Sequence, residues 1–185
     1  KVFTHELNVE QTSVFVAWKL PPKYSEDDLA GRFMMNAVAG ETSFFGDTYD
    51  FATSVDAFPL GGERAPTFVL GVALRETDGE EEALDAIWKS ARNAHRNFEK
   101  GNDFEDWRAR VVGGMVSDFE SLTNRTLLFG NYAQFDKGGN FFAGELARFK
   151  AVRGERIREL IQETMDPDKA VVVIIKAKKG VASGY

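Results

Sequence analysis

Residues 51–75 read FATSVDAFPLGGERAPTFVLGVALR, and this stretch decides the fold. Both ends of it, Phe51 to Phe58 and Thr67 to Arg75, have the pattern of β-strands. In the second, alternate residues place one apolar set on one face: Phe68, Leu70, Val72 and Leu74. The loop between the two is punctuated by Pro59, Gly61, Gly62 and Pro66. A short loop of this kind favours an antiparallel hairpin over a crossover connection.

A strand and a helix are predicted on the N-terminal side of the hairpin. The stretch from Val14 to Leu20 alternates with a period of two and stops at Pro21 and Pro22. Because both of its faces are apolar, we expect this strand to lie inside the sheet and to be covered on both sides. Ser25 and Asp28 form a capping-box pattern, and the helix that follows is predicted to end at Gly40.

Helical patterns dominate the C-terminal side. An amphipathic helix is predicted over residues 84–98, after a capping box at Thr77 and Glu80, and one long helix over 104–129. Two shorter helices over 141–149 and 155–165 precede a buried strand over 171–175. Gly113 and Gly114 lie inside the long helix, where each costs about 1 kcal/mol relative to alanine. We therefore expect a sheet or another domain to approach the helix closely there.

This order of elements predicts an α+β fold, with a largely antiparallel sheet and several helices packed on one face. The chain has 185 residues, of which 43% are hydrophobic, so it can supply a sizeable core. We predict a single domain over residues 1–180 and a short tail over 181–185. The other face of the sheet is expected to be partly exposed or covered by another domain.

Composition excludes several classes of function. The net charge of −6, without a basic stripe, argues against a nucleic-acid partner. The absence of cysteine removes disulfides, thiolate nucleophiles and cysteine zinc sites. No apolar run approaches the roughly 18 residues that span a bilayer, so we expect a soluble protein without a membrane span. The bacterial periplasm and the cytoplasm both remain open as its compartment.

No catalytic constellation is found in the sequence. The two histidines, His5 and His95, are far apart and belong to neither an H-x-x-E-H nor an H-E-x-x-H pattern. His95 lies on an apolar helix stripe and is interpreted as a packed histidine. The acidic clusters near residues 80 and 103 are interpreted as helix starts, where carboxylates favour the helix dipole. We predict no catalytic residue and no metal ligand in this chain.

Several landmarks together resemble a known family. Their order is similar to that of pitrilysin or insulinase-type zinc metallopeptidases, which include mitochondrial-processing-peptidase-like proteins. The landmarks are Trp18-Lys19-Leu20-Pro21, the hairpin, the segment Glu99 to Glu105 and Asp166-Pro167-Asp168-Lys169. The likeness extends from about Val9 to Lys179. Within that family, the chain resembles the C-terminal, non-catalytic ("inactive") domain.

The resemblance implies a division of labour between two halves. Zinc is expected not in this chain but in a homologous zinc-bearing N-terminal domain or subunit, and a peptide is the expected substrate. In the family, the second domain contributes an arginine and a tyrosine that hold the substrate; at those positions this chain has Gly46 and Thr53. With Tyr49 and Phe51, these are the predicted substrate-binding residues. Tyr49 and Arg32 are alternative candidates for the two missing roles.

Two functional hypotheses follow from the resemblance. The first is the non-catalytic half of a zinc protease, which encloses a peptide chamber with its zinc-bearing partner. The second is a proteolytically inactive homologue that serves as a structural or assembly subunit, and the absence of both donor residues favours it. An independent small-ligand-binding protein is a third possibility, although no convergent set of polar residues in the sequence indicates one.

Overall fold

The computed structural model describes residues 1–42, 50–62, 64–76, 78–99, 103–138 and 141–178. Thr77, half of one predicted capping box, lies outside these ranges. The chain divides into two compact units. The sheet unit comprises Lys1–Glu99 with Glu155–Tyr185, and the helical unit comprises Lys100–Gly154. The single domain over 1–180 stays a prediction.

The sheet has five strands: β1 (Val2–Leu7), β2 (Ser13–Lys19), β3 (Ala52–Leu60), β4 (Thr67–Leu74) and β5 (Val171–Ala177). Their spatial order is β1-β5-β2-β4-β3. The β1–β5 pair is parallel, and the other three pairs are antiparallel. The α+β fold with a largely antiparallel sheet is therefore confirmed, and so is the hairpin of β3 and β4.

The described residues also form six α-helices: α1 (Asp28–Thr42), α2 (Glu80–Glu99), α3 (Asp103–Glu120), α4 (Leu122–Gln134), α5 (Phe141–Ala151) and α6 (Gly154–Thr164). A short 3-10 turn, Pro167–Lys169, leads into β5. The predicted end of α1 at Gly40 is wrong, because the helix continues to Thr42. A single glycine costs a helix only about 1 kcal/mol, which the packing of a buried helix easily offsets.

The strand β2 forms the centre of the sheet, as predicted, with β4 on one side and β5 on the other. Val14, Val16 and Trp18 are buried on the face that α1 and α2 cover. Phe15 and Ala17, on the opposite face, are only half-buried. The cover expected on this second face, which another domain would supply, stays a prediction.

A charged cluster fastens α6 to the segment before α1. The guanidinium of Arg156 donates to both carboxylate oxygens of Asp27, at 2.8 and 2.7 Å. It also donates to Glu159 and Glu163, each at 3.1 Å. These bonds lower the pKa of Asp27 and raise that of Arg156 from their ordinary values. The cluster joins two elements that are 129 residues apart in sequence.

The helical unit consists of α3, α4 and α5. The predicted single helix over 104–129 is wrong, because Ser121 interrupts it with an extended backbone, at φ −69° and ψ 125°. Its hydroxyl accepts a hydrogen bond from the backbone N–H of Asn124 at 3.4 Å and so caps α4. Serine competes well for this position because its side chain satisfies a donor that a helix start leaves open.

Gly113 and Gly114 do not mark a close approach within the helical unit. A Cβ added at either residue would meet nothing within 4 Å in the part of the chain that is described. Both glycines are exposed on α3. Within the helical unit, the helix propensity lost at this pair therefore has no compensating contact. The expected approach of a sheet or another domain stays a prediction.

Candidate functional site

Two of the four predicted substrate-binding residues lie together at the beginning of β3. Phe51 immediately precedes the strand and is half-buried, and Thr53 is exposed. The other two, Gly46 and Tyr49, lie outside the described residues. The ladder between β3 and β4 is irregular between Ala52 and Ser54, so Thr53 is the extra residue of a bulge. Bulges of this kind re-aim side chains at the ends of sheets.

The hydroxyl of Thr53 has two acceptors nearby. It lies 2.8 Å from Oε1 of Gln11 and 3.2 Å from the backbone oxygen of Ala73. Gln11 belongs to the loop between β1 and β2, which is 42 residues away in sequence. The hydroxyl carries one proton, so its donor capacity is taken by contacts within the chain.

The sequence analysis did not predict an arginine that lies beside the beginning of β3. Arg75 directly follows β4, and its Nε donates to the backbone oxygen of Asp50 at 2.9 Å. The backbone N–H of Arg75 donates to the backbone oxygen of Phe51 at 2.7 Å. A guanidinium therefore lies next to the start of β3. The hairpin pairing was the available signal, because it places the end of β4 opposite the start of β3.

The face of the sheet opposite the helices carries exposed and half-buried apolar residues, with the exposed carboxylate of Asp56 on β3 among them. Register places Phe3, Val173 and Phe15 in one row across β1, β5 and β2. On the far side of β4, Phe58 and Leu60 of β3 face the same way. Phe3, Phe58 and Leu60 are 48%, 36% and 58% exposed. We call this surface, formed by Phe3, Phe15, Phe58, Leu60 and Val173, the open face.

Both ends of the sheet order are edge strands within the described part of the chain. The strand β3 pairs only with β4, and β1 pairs only with β5. Each therefore presents unpaired backbone N–H and C=O groups along its outer side. Such an edge can accept an extended peptide as an additional strand.

Arg32 lies at the opposite end of the hairpin from Thr53. Its guanidinium contacts the buried carboxylate of Asp28 at 3.2 and 3.3 Å. It lines a cavity of about 330 Å³ together with Pro59 and Gly61, which lie where β3 ends. Thr53 and Pro59 are six positions apart along the strand, a distance of about 20 Å. Arg32 and Thr53 are therefore not brought together.

Potential metal ligands do not cluster in the described ranges. Within them, no group of three His, Asp or Glu side chains could hold a metal ion. His5 is exposed on β1, whereas His95 is half-buried on α2. The described residues therefore do not fit a zinc site. Nor does any helix in these ranges combine the length and apolar composition needed to cross a bilayer.

The fold is that of the inactive domains of M16 peptidases. A peptidase M16 inactive domain from Pseudomonas fluorescens superposes with a TM-score of 0.77 at 14% identity, over 100% of this chain and 45% of that one. A protease from Helicobacter pylori superposes with a TM-score of 0.73 at 13% identity, over 95% of this chain and 43% of that one. The predicted resemblance to the inactive C-terminal domain is thereby confirmed at the level of fold.

The lengths of these structures differ in an informative way. The chain spans less than half of the first solved structures that it matches. In contrast, it matches 99% of an inactive peptidase domain from Bordetella parapertussis, with a TM-score of 0.70 at 11% identity over 95% of this chain. No protein-family model matches the sequence. No curated protein matches it either.

Proposed function

We propose that this chain is the non-catalytic half of an M16-type zinc peptidase and that its open face encloses a peptide chamber with a homologous zinc-bearing half. The observation that carries the proposal is the open face itself, where Phe3, Phe58 and Leu60 expose apolar surface on a sheet that helices cover on the other side. Exposed apolar patches of this kind are typical of surfaces that meet a partner or a ligand.

The coverage of the solved structures supports a second half. Chains about twice as long contain this fold as 43–45% of their length. Zinc and its activated water would come from the partner, since the described residues of this chain do not fit a zinc site. This chain would contribute the chamber wall, the edge of β3 for strand addition to the peptide, and the guanidinium of Arg75.

A second candidate function is a structural subunit without proteolysis. The observation that favours it is the hydroxyl of Thr53, whose donor capacity is taken by Gln11 or by the backbone of Ala73. A threonine hydroxyl whose proton is already shared within the chain cannot hold a substrate as the phenol of a tyrosine would. Both functions use the same fold and differ in whether the assembled pair cleaves peptides.

The deciding experiment is peptide hydrolysis by the full-length parent, or by this chain mixed with its zinc-bearing partner, with and without a zinc chelator. Chelator-sensitive cleavage supports the peptidase half. A stable complex that cleaves nothing supports the structural subunit. The absence of both a complex and cleavage would contradict both functions.

Matched variants test the role of the open face. Phe3→Asp and Phe58→Asp introduce a charge at positions that are already exposed, and Leu122→Asp does the same at a residue that is 71% exposed in the helical unit. We expect the first two, but not the third, to reduce assembly or cleavage at least several-fold. Installing the family's residues with Gly46→Arg and Thr53→Tyr is expected to strengthen peptide binding by the assembled pair.

A further inference from the structure

A second cavity of the sheet unit lies on the helix side of the sheet. It has a volume of about 510 Å³ and is formed by α2 and by the segment from Ile161 to Pro167. Trp88 lines it and meets Trp18 edge to face, with ring centroids 5.6 Å apart. Because Trp18 is buried on the helix-covered face of β2, this cavity and the open face lie on opposite sides of the sheet.

The cavity has an apolar side. Ile161 and Met165 contribute to its lining and are only 3% and 6% exposed, and the half-buried ring of Trp88 also lines it. These side chains are held by the core of the sheet unit, so the apolar wall is formed before any ligand arrives. A volume of this size is within the range of pockets that take small organic ligands.

The side of the cavity that α2 forms also carries basic residues. Arg92, His95 and Arg96 recur at spacings of three and one along α2, which places them on one helix face. No Asp or Glu is among the described residues that line the cavity. In a chain with 29 acidic residues and a net charge of −6, a lining with three basic side chains and no acidic one is selective for an anion.

The donors on this side are largely uncommitted. Arg92 makes no ion pair or hydrogen bond within the described ranges, and Arg96 donates to the side-chain oxygen of Asn93. Nε2 of His95 is buried and has no hydrogen-bond partner among the described residues. A guanidinium presents five N–H donors in a fork that matches a carboxylate.

We propose that this cavity binds a small amphiphilic carboxylate, with its apolar body against Trp88, Ile161 and Met165 and its carboxylate at Arg92 and Arg96. The cavity combines an apolar wall with cationic side chains, so it recognises both ends of such a ligand. A fatty acid and the C-terminal residues of an apolar peptide share this chemistry. The site is separate from the chamber proposed above and stands without it.

Direct binding to the whole chain tests the proposal. Dodecanoate and dodecanol, below their aggregation concentrations, have the same tail with and without the charge. N-acetyl-Leu-Phe as the free acid and as the amide form the matched peptide pair. Binding is measured by calorimetry and by the intrinsic tryptophan fluorescence of the chain, to which Trp88 contributes. We expect at least one acid to bind saturably, about ten-fold or more tightly than its uncharged counterpart, because charge-assisted hydrogen bonds are the stronger ones.

The acid that binds identifies the source of the ligand. Saturable binding of dodecanoate alone indicates a lipid, and binding of the peptide acid alone indicates a peptide terminus. Binding of both supports the shared chemistry. Binding of neither acid, or equal affinity for the acids and their uncharged counterparts, would overturn the proposal.

Variants locate the ligand in the cavity. The double substitution Arg92→Gln with Arg96→Gln is expected to weaken the acids about ten-fold and to leave the uncharged probes unchanged. Arg110→Gln, which removes a charge from an exposed position on α3, is the control and should change neither. Gln162→Trp fills the cavity from its exposed rim without altering charge and should weaken every probe that binds. With folding checked by circular dichroism, unchanged acid affinity in the double variant would refute the assignment.

Discussion

The ring of Phe15 lies directly over Gly71, its cross-strand partner in the pairing of β2 with β4. A Cβ at Gly71 would come within 2.9 Å of Cε1 and 3.0 Å of Cδ1 of that ring. Such distances are shorter than carbon atoms tolerate, so only glycine lets the ring lie flat against the sheet. The absence of one side chain therefore shapes the open face at its centre.

Gly71→Ala is expected to destabilise the chain by about 1–3 kcal/mol. The added methyl group must push the Phe15 ring off the sheet or separate the two strands, and either change loses packing. The free energy of unfolding in urea measures this. A second background isolates the cause: in Phe15→Leu, the cost of Gly71→Ala should be smaller. An equal cost in both backgrounds would show that the ring is not responsible.

Local periodicity was sufficient to predict four of the five strands, all except β1. The strand β2 could be predicted because Val14, Val16 and Trp18 alternate with apolar residues and then stop at two prolines. The hairpin was predictable because turn residues separate two strand patterns. The parallel pairing of β1 with β5 was not predicted, since Val2 and Val172 are 170 positions apart and periodicity carries no information about such pairs.

The errors have a common physical origin. Gly40 and Ser121 are both weak signals, and packing decides which of them ends a helix; the structure continues through the glycine and stops at the serine. The candidate sites show the same limit. Arg75 approaches Asp50 only because the hairpin closes, and Arg92 approaches Ile161 only because α2 and α6 pack in the same unit.

Acid should weaken the cluster at Asp27 and Arg156. The bonds from Arg156 lower the pKa of Asp27 below its ordinary value of 3.8. A carboxylate with a lowered pKa in the folded state stabilises the fold above its unfolded-state pKa, and this contribution is lost as pH falls through the folded-state value. Since both side chains are about one-third exposed, the contribution is expected to be about 1 kcal/mol or less.

The measurement compares the free energy of unfolding of the parent chain and of Asp27→Asn between about pH 6 and pH 2. The difference between them should be largest near pH 6 and should shrink as the pH falls below 3.8. The pKa of Glu80 is also lowered, chiefly by its hydrogen bond from Lys176, but this contribution is common to both proteins and cancels. Asp85→Asn, at an exposed position on α2, is the control. A difference that stays constant over the whole range would contradict the expectation.

Gly113→Ala and Gly114→Ala are each expected to stabilise the helical unit by about 0.5–1 kcal/mol. Neither new methyl group meets an atom within 4 Å in the described part of the chain, so the gain in helix propensity is not offset by a clash. Amide hydrogen exchange along α3 reports the change in the relevant helix. Gly71→Ala serves as the opposite case, with the same substitution at a crowded position. Slower exchange in parent than in variant would mean that the glycines have a packing role after all.

The buried pair of Tyr132 and Glu145 is expected to be the most sensitive polar contact in the helical unit. Tyr132 is 1% exposed and Glu145 is 3% exposed, and the phenol donates to the carboxylate. Tyr132→Phe keeps the ring and its edge-to-face contact with Phe141 but removes the donor, so a buried carboxylate loses its bond. We expect a loss of about 1–3 kcal/mol in the free energy of unfolding. If the bond is responsible, the same substitution should cost less in a Glu145→Leu background, because no carboxylate is then left without its partner; equal costs in the two backgrounds would assign the effect to packing of the ring instead.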